Sequence, residues 1–249
     1  MGAKFMDYII ADNLIIPDKM KKQYTEKVIY LPNCYQANPR KIFDKSIKKK
    51  FSRKNLGLPE NGTVFCCFNN HYKITPSIFN SWMNILKRVD GSVMWIYVDK
   101  KYAQENLKKE AIKRNIDPNR IKFAENEKME NHLERMKFAD LFLDTWPYNA
   151  HTTASDSIRM GLPLLTLMGN SFSSRVASSI LSNIDVPELI TKKIDDYENL
   201  AIKLGNNKTE LNKIKNKINT NIKSSSLYNS EKFTKDLENI YKKIVSKNL

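Results

Sequence analysis

Residues that could bind an anion follow the apolar segment Ala139–Leu143, which is predicted to be a buried strand. After a turn-forming stretch, His151, Thr152 and Thr153 precede a helical pattern that stops at Gly161. These three residues are therefore predicted to open a helix, where unpaired backbone N–H groups and the positive end of the helix dipole favour a phosphate. An ordinary threonine N-cap gives the same residue pattern, so the local chemistry leaves both interpretations open.

Two further groups could complete such a site. Asp156 lies one turn into the predicted helix, on the side of the two threonines, where its carboxylate could accept hydrogen bonds from a ribose. Asn70 and Lys73 follow the apolar segment Thr63–Asn69, which is predicted to be another strand. Because ligands of open parallel sheets bind beyond the carboxyl ends of the strands, Lys73 could meet a second phosphate as a point charge. A solvated loop lysine is the alternative interpretation.

Strand and helix patterns alternate around these residues. The predicted strands are Thr63–Asn69, Ser92–Val98, Arg120–Phe123, Ala139–Leu143 and the LPLLTL segment that follows Gly161. The predicted helices are Pro76–Val89, Tyr102–Asn115, 125–140 and Ser171–Leu181, followed by two amphipathic helices, the second of them capped by Ser230. This alternation predicts an α/β fold with a doubly wound parallel sheet. His132, near the middle of the 125–140 helix, could be an ordinary surface or core histidine.

The first 40 residues have a different organisation. A strand is predicted within 5–12, a short polar helix at Pro17–Tyr24 and a second strand from Val28 to Pro32. The first strand has the apolar character of one buried on both faces, yet no strand precedes it in this sequence. The sequence is therefore predicted to begin within a first domain, of which it holds only the last part.

Composition excludes several classes of protein. No secretory signal is present, and no segment approaches the roughly 18 apolar residues that a membrane span requires. The three cysteines, Cys34, Cys66 and Cys67, form no CxxC motif or His/Cys cluster, so neither a metal site nor a disulfide framework is indicated. A soluble protein of the reducing cytoplasm is predicted.

The net charge of +15 raises the question of nucleic-acid binding. The basic residues are mostly lysines, spread along most of the chain. The densest parts are the run Lys41 to Lys54 and the C-terminal third, and neither interleaves aromatic residues in the way that platforms for stacking bases do. Weak attraction at low salt is compatible with this pattern, but no specific nucleic-acid partner is predicted.

The string LDTWPYNAHTTASDSIRMGLPLLTLMG, followed by SFSSRVASSIL, resembles the catalytic region of the O-GlcNAc transferases, the protein O-linked N-acetylglucosaminyltransferases. The similarity continues upstream through CCFNNHYKITPSIFNSWMNILKRV and downstream through VPELI to an Asp-Tyr-Glu sequence. It covers nearly the whole chain, with several separate motifs in the family's order.

This resemblance implies the C-terminal half of a GT-B glycosyltransferase with a Rossmann-like sheet, plus the tail end of its N-terminal domain. The implied domains are a remnant of the N-terminal catalytic domain (1–40), a linker (41–57), a UDP-sugar-binding domain (58–225) and a C-terminal helix (226–249). In enzymes of this type the last helix crosses back to the first domain.

The resemblance also assigns roles to individual residues. Lys73 matches the family's phosphate-contacting lysine, Asn70 occupies a position that is often Gln, and His132 matches a histidine that packs against the uracil ring. Met129 stands where the family commonly has Lys or Arg, and the adjacent Lys128 is the nearest replacement. The predicted catalytic residues are Lys73 and Asn70, and the predicted donor-binding residues are His132, His151, Thr152, Thr153 and Asp156.

The activity that the resemblance implies is transfer of N-acetylglucosamine, or a related sugar, from a UDP-sugar to Ser or Thr hydroxyls of an acceptor polypeptide. Inversion at the anomeric carbon is expected, with no metal and no cofactor beyond the donor itself. The histidines that the family places near proton transfer belong to the first half, so a separate chain carrying that half and tetratricopeptide repeats is a predicted partner. The alternative is a non-catalytic UDP-sugar-binding fragment that needs such a half for activity.

Overall fold

A computed structural model describes residues 2–39 and 50–248. Its centre is a six-stranded sheet in which every neighbouring pair is parallel. The strands are β3 (Val64–Cys67), β4 (Val93–Tyr97), β5 (Ile121–Ala124), β6 (Leu141–Leu143), β7 (Leu164–Leu167) and β8 (Ile190–Thr191), and their order is β5-β4-β3-β6-β7-β8. Strands β3, β6 and β7 are buried at every residue, as expected for a sheet covered on both faces.

Helices connect and cover these strands. They are α1 (Pro76–Arg88), α2 (Lys101–Lys113), α3 (Met129–Met136), α4 (Thr152–Arg159), α5 (Val176–Asn183), α6 (Ile194–Asn206), α7 (Lys208–Ser224) and α8 (Ser230–Asn248). Helix α6 packs closely on the sheet because it carries Gly205, where an added Cβ would lie 2.7 Å from the ring of Phe65. Within the described ranges, no helix combines the length and apolar character that crossing a membrane demands.

The order of the strands determines where a ligand can bind. The chain builds outward from β3 through β4 to β5, and then returns to the other side of β3 to add β6, β7 and β8. Strands β3 and β6 therefore form the topological switch point, where the loops leaving their carboxyl ends lie side by side. The two loops are joined directly, since Thr75 Oγ1 donates to the carbonyl oxygen of Trp146 at 3.1 Å.

Residues 2–39 form a small element of their own. Strands β1 (Tyr8–Ala11) and β2 (Lys27–Tyr30) pair in parallel, and a short 3₁₀ helix lies between them. Asp12, at the end of β1, accepts a hydrogen bond from Ser179 Oγ at 2.6 Å, and Arg175 Nε donates to the carbonyl oxygen of Leu14 at 2.6 Å. These bonds attach the two-stranded sheet to α5 of the larger sheet.

The doubly wound parallel sheet predicted from sequence is confirmed, as is the helix opened by His151, Thr152 and Thr153. The predicted 125–140 helix is wrong in extent, because α3 covers only Met129–Met136. Its first residues stay extended, and the carbonyl oxygen of Glu125 accepts a hydrogen bond from Arg135 Nη1 at 2.6 Å.

Other differences concern the C-terminal part of the chain. The cap of α8 is Asn229 rather than Ser230, since Asn229 Oδ1 accepts from the backbone N–H of Lys232 at 3.0 Å. The sequence patterns missed β8 and α6. The predicted domain limits stay predictions, and residues 40–49, which include most of the basic run Lys41 to Lys54 and of the 41–57 linker, lie outside the described residues.

Candidate functional site

The loop that leaves β6 is organised around a buried carboxylate, that of Asp144. Its Oδ1 accepts hydrogen bonds from the backbone N–H groups of Thr145 (2.8 Å) and Ala150 (2.7 Å) and from Asn69 Nδ2 (3.0 Å). Its Oδ2 accepts from Thr166 Oγ1 at 2.7 Å. One side chain thus ties the ends of β3, β6 and β7 together and fixes the path of residues 145–150.

Burial raises the pKa of Asp144 to about 6, although each of its four hydrogen bonds lowers that pKa. An uncompensated buried carboxylate would be costly, so the four donors explain how it is tolerated in the core. Further support comes from α6, because Tyr197 Oη donates to the carbonyl oxygen of Asp144 at 3.0 Å. The path of the loop is therefore determined by hydrogen bonds within the chain.

Lys73 extends from a 3₁₀ turn (His71–Lys73) after β3 to this loop. Its Nζ donates to the carbonyl oxygen of Asn149 at 3.0 Å and lies 3.8 Å from the centroid of the Tyr148 ring. Burial lowers the pKa of Lys73, while the nearby carboxylate of Asp144 raises it. A half-buried ammonium thus stands at the switch point.

Helix α4 begins directly beyond, with His151 at its N-cap position. The backbone N–H groups of Ala154 and Ser155 bond to the carbonyl oxygen of His151. Those of Thr152 and Thr153 belong to the first helical turn and have no partner within the helix. Burial and the positive charge of Lys73 both lower the pKa of His151. Lys73 Nζ bonds to Asn149, two residues before His151, so the lysine lies beside the start of the helix. Two sources of positive potential therefore converge there.

Asp156 is half-buried one turn further along α4, and burial raises its pKa. Asn70 is exposed, and its backbone carbonyl accepts from the N–H of Lys73 at 3.0 Å. The structure therefore brings Lys73, His151 and the two threonines together, with Asp156 on the same helix. Asn70 lies at the edge of this group, in the turn that positions Lys73.

His132 lies in a second part of the site, beyond the ends of β3 and β4. Its ring packs edge-on against Phe68, with centroids 5.1 Å apart, and against Tyr97 at 6.4 Å. A cavity of about 260 Å³ opens here, lined also by Asn126, Glu127, Met129 and Arg135. Its aromatic walls are suited to a planar ring such as a nucleobase.

Arg135 sets the tautomer of His132. Its Nε and Nη2 lie 3.1 and 2.7 Å from His132 Nδ1, which therefore accepts and leaves the proton on Nε2. Burial, with a smaller contribution from the Arg135 charge, lowers the pKa of His132 to about 4. The imidazole is neutral at physiological pH and can offer an N–H donor to the cavity.

Sequence reasoning missed Asp144, Asn149, Tyr148 and Arg135 as members of the site. A polar residue directly after a fully apolar strand was the available signal for Asp144. Nothing in the local pattern distinguished Arg135 from other charged residues of a helix surface, although it is among the most buried side chains of the described part of the chain.

The profile of Glycosyl transferase family 41 matches residues 1–51 and 45–237 of the chain. An Arabidopsis thaliana protein named probable UDP-N-acetylglucosamine–peptide N-acetylglucosaminyltransferase SEC is 32% identical over 249 residues, covering 98% of this chain and 25% of that protein. The Caenorhabditis elegans UDP-N-acetylglucosamine–peptide N-acetylglucosaminyltransferase is 35% identical over 189 residues, covering 76% of this chain and 16% of that protein.

Solved structures share the fold. An O-GlcNAc transferase mutant from Thermobaculum terrenum superposes with a TM-score of 0.84 at 24% identity, covering 96% of this chain and 45% of that one. WaaG, a glycosyltransferase involved in lipopolysaccharide biosynthesis, superposes with a TM-score of 0.64 at 15% identity, covering 92% and 61%. The sheet is thus that of GT-B glycosyltransferases, and the chain spans a quarter or less of the two sequence relatives.

Proposed function

Because the chain belongs to Glycosyl transferase family 41, we propose that it binds a UDP-sugar and forms the donor-binding half of an enzyme that transfers N-acetylglucosamine to polypeptide Ser or Thr hydroxyls. The names of the Arabidopsis and Caenorhabditis relatives support this donor and this class of acceptor. The observation that carries the proposal is the convergence of the Lys73 ammonium with the start of α4 at the switch point. A diphosphate bound there would meet both.

In the proposed reaction, the acceptor hydroxyl oxygen attacks the anomeric carbon while the bond from that carbon to the diphosphate oxygen breaks. Configuration inverts, and the hydroxyl proton passes to a base. Lys73 and the N–H groups of Thr152 and Thr153 stabilise the negative charge that appears on the leaving diphosphate, without a metal in this proposal. His132 packs on the uracil within the aromatic cavity, and Asp156 accepts from the ribose. Asn70 keeps its proposed catalytic role, at the edge of the site.

The base and most of the acceptor-binding surface are assigned to a second half, matching the part of the Thermobaculum chain that this chain does not cover. Tetratricopeptide repeats would select the acceptor. The two-stranded sheet of β1 and β2 supports this proposal, because a parallel pair this small is usually part of a larger sheet. A cytoplasmic location is supported by the free, buried thiols of Cys34, Cys66 and Cys67.

The non-catalytic alternative is a UDP-sugar-binding fragment. It has the same donor site but does not transfer the sugar to an acceptor. Mixing the purified chain with the N-terminal half of a family member, UDP-N-acetylglucosamine and a Ser-containing peptide separates the two. Sugar on the peptide, detected by mass spectrometry, supports the enzyme. Donor binding without transfer by any such mixture supports the fragment.

Calorimetric titration tests the donor site itself. We expect saturable binding of UDP and of UDP-N-acetylglucosamine to the wild-type chain. Lys73→Met should weaken UDP binding by at least about 10-fold, since it removes a charged hydrogen bond to phosphate, and should leave uridine binding unchanged.

Lys87→Met is the matched control, because Lys87 is exposed in the last turn of α1, at the end of the sheet opposite the site. It should bind UDP as the wild type does. A folded Lys73→Met variant that binds UDP with wild-type affinity would contradict the proposed phosphate contact.

A further inference from the structure

The side chain of Tyr148 has a position that the proposed chemistry does not yet use. Its ring lies 3.8 Å from Lys73 Nζ, and it is 39% exposed at the surface of the loop. The same ring contacts the imidazole of His151, with centroids 5.3 Å apart, and the phenol ring of Tyr72, with centroids 6.4 Å apart. It is therefore adjacent both to the lysine and to the N-cap residue of α4.

The three N–H donors of the Lys73 ammonium can be assigned from these contacts. One is used by the carbonyl oxygen of Asn149 at 3.0 Å, and the face of the Tyr148 ring covers the ammonium from another side. The remaining donor is available to an anion. Because Lys73 is already held by these contacts, it loses little side-chain freedom when an anion binds. A lysine without such contacts would lose that freedom on binding, at a cost of up to about 2 kcal/mol.

The ring also affects the charge of the lysine. Burial lowers the pKa of Lys73 and so favours the neutral amine, which binds phosphate poorly. The negative face of an aromatic ring stabilises an ammonium, most strongly where water is partly excluded. Tyr148 and the carboxylate of Asp144 therefore act in the same direction, against burial.

The position of the ring does not depend on its hydroxyl group. The backbone of Tyr148 is held by Thr145 Oγ1, which donates to its carbonyl oxygen at 2.6 Å. The next residue is held by Asn149 Nδ2, which donates to the carbonyl oxygen of Thr145 at 2.7 Å. A substitution at Tyr148 should thus change the group that faces Lys73 while the loop keeps its path.

We propose that Tyr148 is a positioning residue for donor binding: its ring holds the Lys73 ammonium so that the free N–H points to the anion region at the start of α4. This inference rests on the proposed function for its ligand, a nucleoside diphosphate. The proposed role of Tyr148 differs from that of Lys73, since the ring acts on the diphosphate only through the lysine.

Two substitutions of Tyr148 test the inference, because only one of them removes the aromatic ring. Tyr148→Phe keeps the aromatic face and removes the hydroxyl, whereas Tyr148→Leu keeps apolar bulk and removes the face. In calorimetric titrations at pH 7, Tyr148→Phe should bind UDP within about two-fold of the wild type, and Tyr148→Leu about five-fold more weakly, the range of a partly buried cation–π contact. Uridine should bind all three proteins equally.

The pH profile adds a readout that a general structural defect would not move. Carbon-13 NMR of the lysine Cε groups, with the Lys73 signal assigned through Lys73→Met, should show a lower Lys73 pKa in Tyr148→Leu and an unchanged one in Tyr148→Phe. As the pH is raised from 7 to 10, Tyr148→Leu should accordingly begin to lose UDP affinity at a lower pH than the wild type does.

Each of these measurements can support or overturn the proposed role of Tyr148. An unchanged Lys73 pKa in Tyr148→Leu, or equal losses of UDP affinity in both variants, would overturn the positioning role. The NMR titration needs no ligand, so it still tests the ring if the wild-type chain fails to bind UDP. That failure would count against the proposed function instead.

Discussion

The two parts of the site are held together by different kinds of interaction. The proposed phosphate-binding part, here called the phosphate side, surrounds Lys73 and the start of α4 and depends on one buried carboxylate, Asp144, with four donors around it. The proposed uracil-binding part, here called the base side, surrounds His132 and depends on aromatic rings and on the buried guanidinium of Arg135, which lies 5.7 Å from the centroid of Phe68. A polar hub and an aromatic wall thus meet at the edge of one sheet.

The difference has a consequence for how each part responds to change. A hub concentrates its interactions, so that one substitution leaves several buried groups without partners. A wall of packed rings distributes its interactions over many small contacts. The phosphate side should therefore be sensitive to single polar substitutions, whereas the base side should respond mainly through the charge state of its histidine.

The largest effect is expected for Asp144→Ala, which breaks the hub. Four donors lose their acceptor in the core, and an unsatisfied buried group costs about 1–3 kcal/mol, so we expect a loss of about 4 kcal/mol after relaxation. Urea denaturation followed by circular dichroism measures the free energy of unfolding. Asp144→Asn should lose about half as much, because the Thr166 hydroxyl can reverse and accept from the new amide.

The control for this comparison is Asp90→Ala, which removes an exposed carboxylate in the turn between α1 and β4. Its effect should stay within about 0.5 kcal/mol. If Asp144→Ala were as stable as Asp90→Ala, the loop would not depend on the carboxylate, and the contrast between hub and wall would fail.

The next effect concerns the base side and is a dependence on pH. The folded pKa of His132 is lowered from 6.5 to about 4, so between these values the unfolded chain binds more protons than the folded one. The stability due to neutral His132 is complete above pH 6.5 and is lost as the pH falls through 4. The full shift corresponds to at most about 3.4 kcal/mol.

Urea titrations of the wild type and of His132→Gln at pH 7, 5.5 and 4 measure this contribution as a difference, which removes the titration of other groups. The wild type should lose its advantage progressively toward pH 4. Nitrogen-15 NMR should show that the imidazole becomes doubly protonated only near pH 4. At higher pH, the neutral ring should carry its single proton on Nε2. Protonation of His132 near pH 6.5 would show that burial and Arg135 do not control this ring.

The sequence predicted the skeleton of the phosphate side but not its hub. Lys73 and the helix opened by His151 are set by local patterns, because an apolar strand followed by polar residues places those residues at the carboxyl edge of the sheet. Two of the four donors to Asp144, Thr145 and Ala150, are local, but the other two come from Asn69 and Thr166, which lie 75 and 22 residues away along the chain. No local pattern records such a network.

The base side was predicted less completely for a related reason. His132 was assigned through a family resemblance, since a lone histidine in a helical pattern has no distinctive chemistry of its own. Arg135 follows it by one helical turn and looks like a surface charge, yet it is buried between Phe68 and Trp95. Helix α6 was also missed, although its Tyr197 supports the Asp144 backbone from behind.

The smallest effect is expected for Tyr197→Phe, which removes one link between α6 and the hub. The fully buried Tyr197 hydroxyl donates to the carbonyl oxygen of Asp144 at 3.0 Å and accepts from Trp82 Nε1 at 3.2 Å. Its loss leaves two buried groups short of a partner and should cost about 1–2 kcal/mol in urea denaturation. Tyr102→Phe, at an exposed tyrosine of α2, should cost nothing measurable. UDP affinity should fall only slightly in Tyr197→Phe, because the side chain of Asp144 keeps all four of its donors. A large loss of affinity with little loss of stability would mean that α6, rather than the carboxylate, sets the position of the loop at residues 145–150.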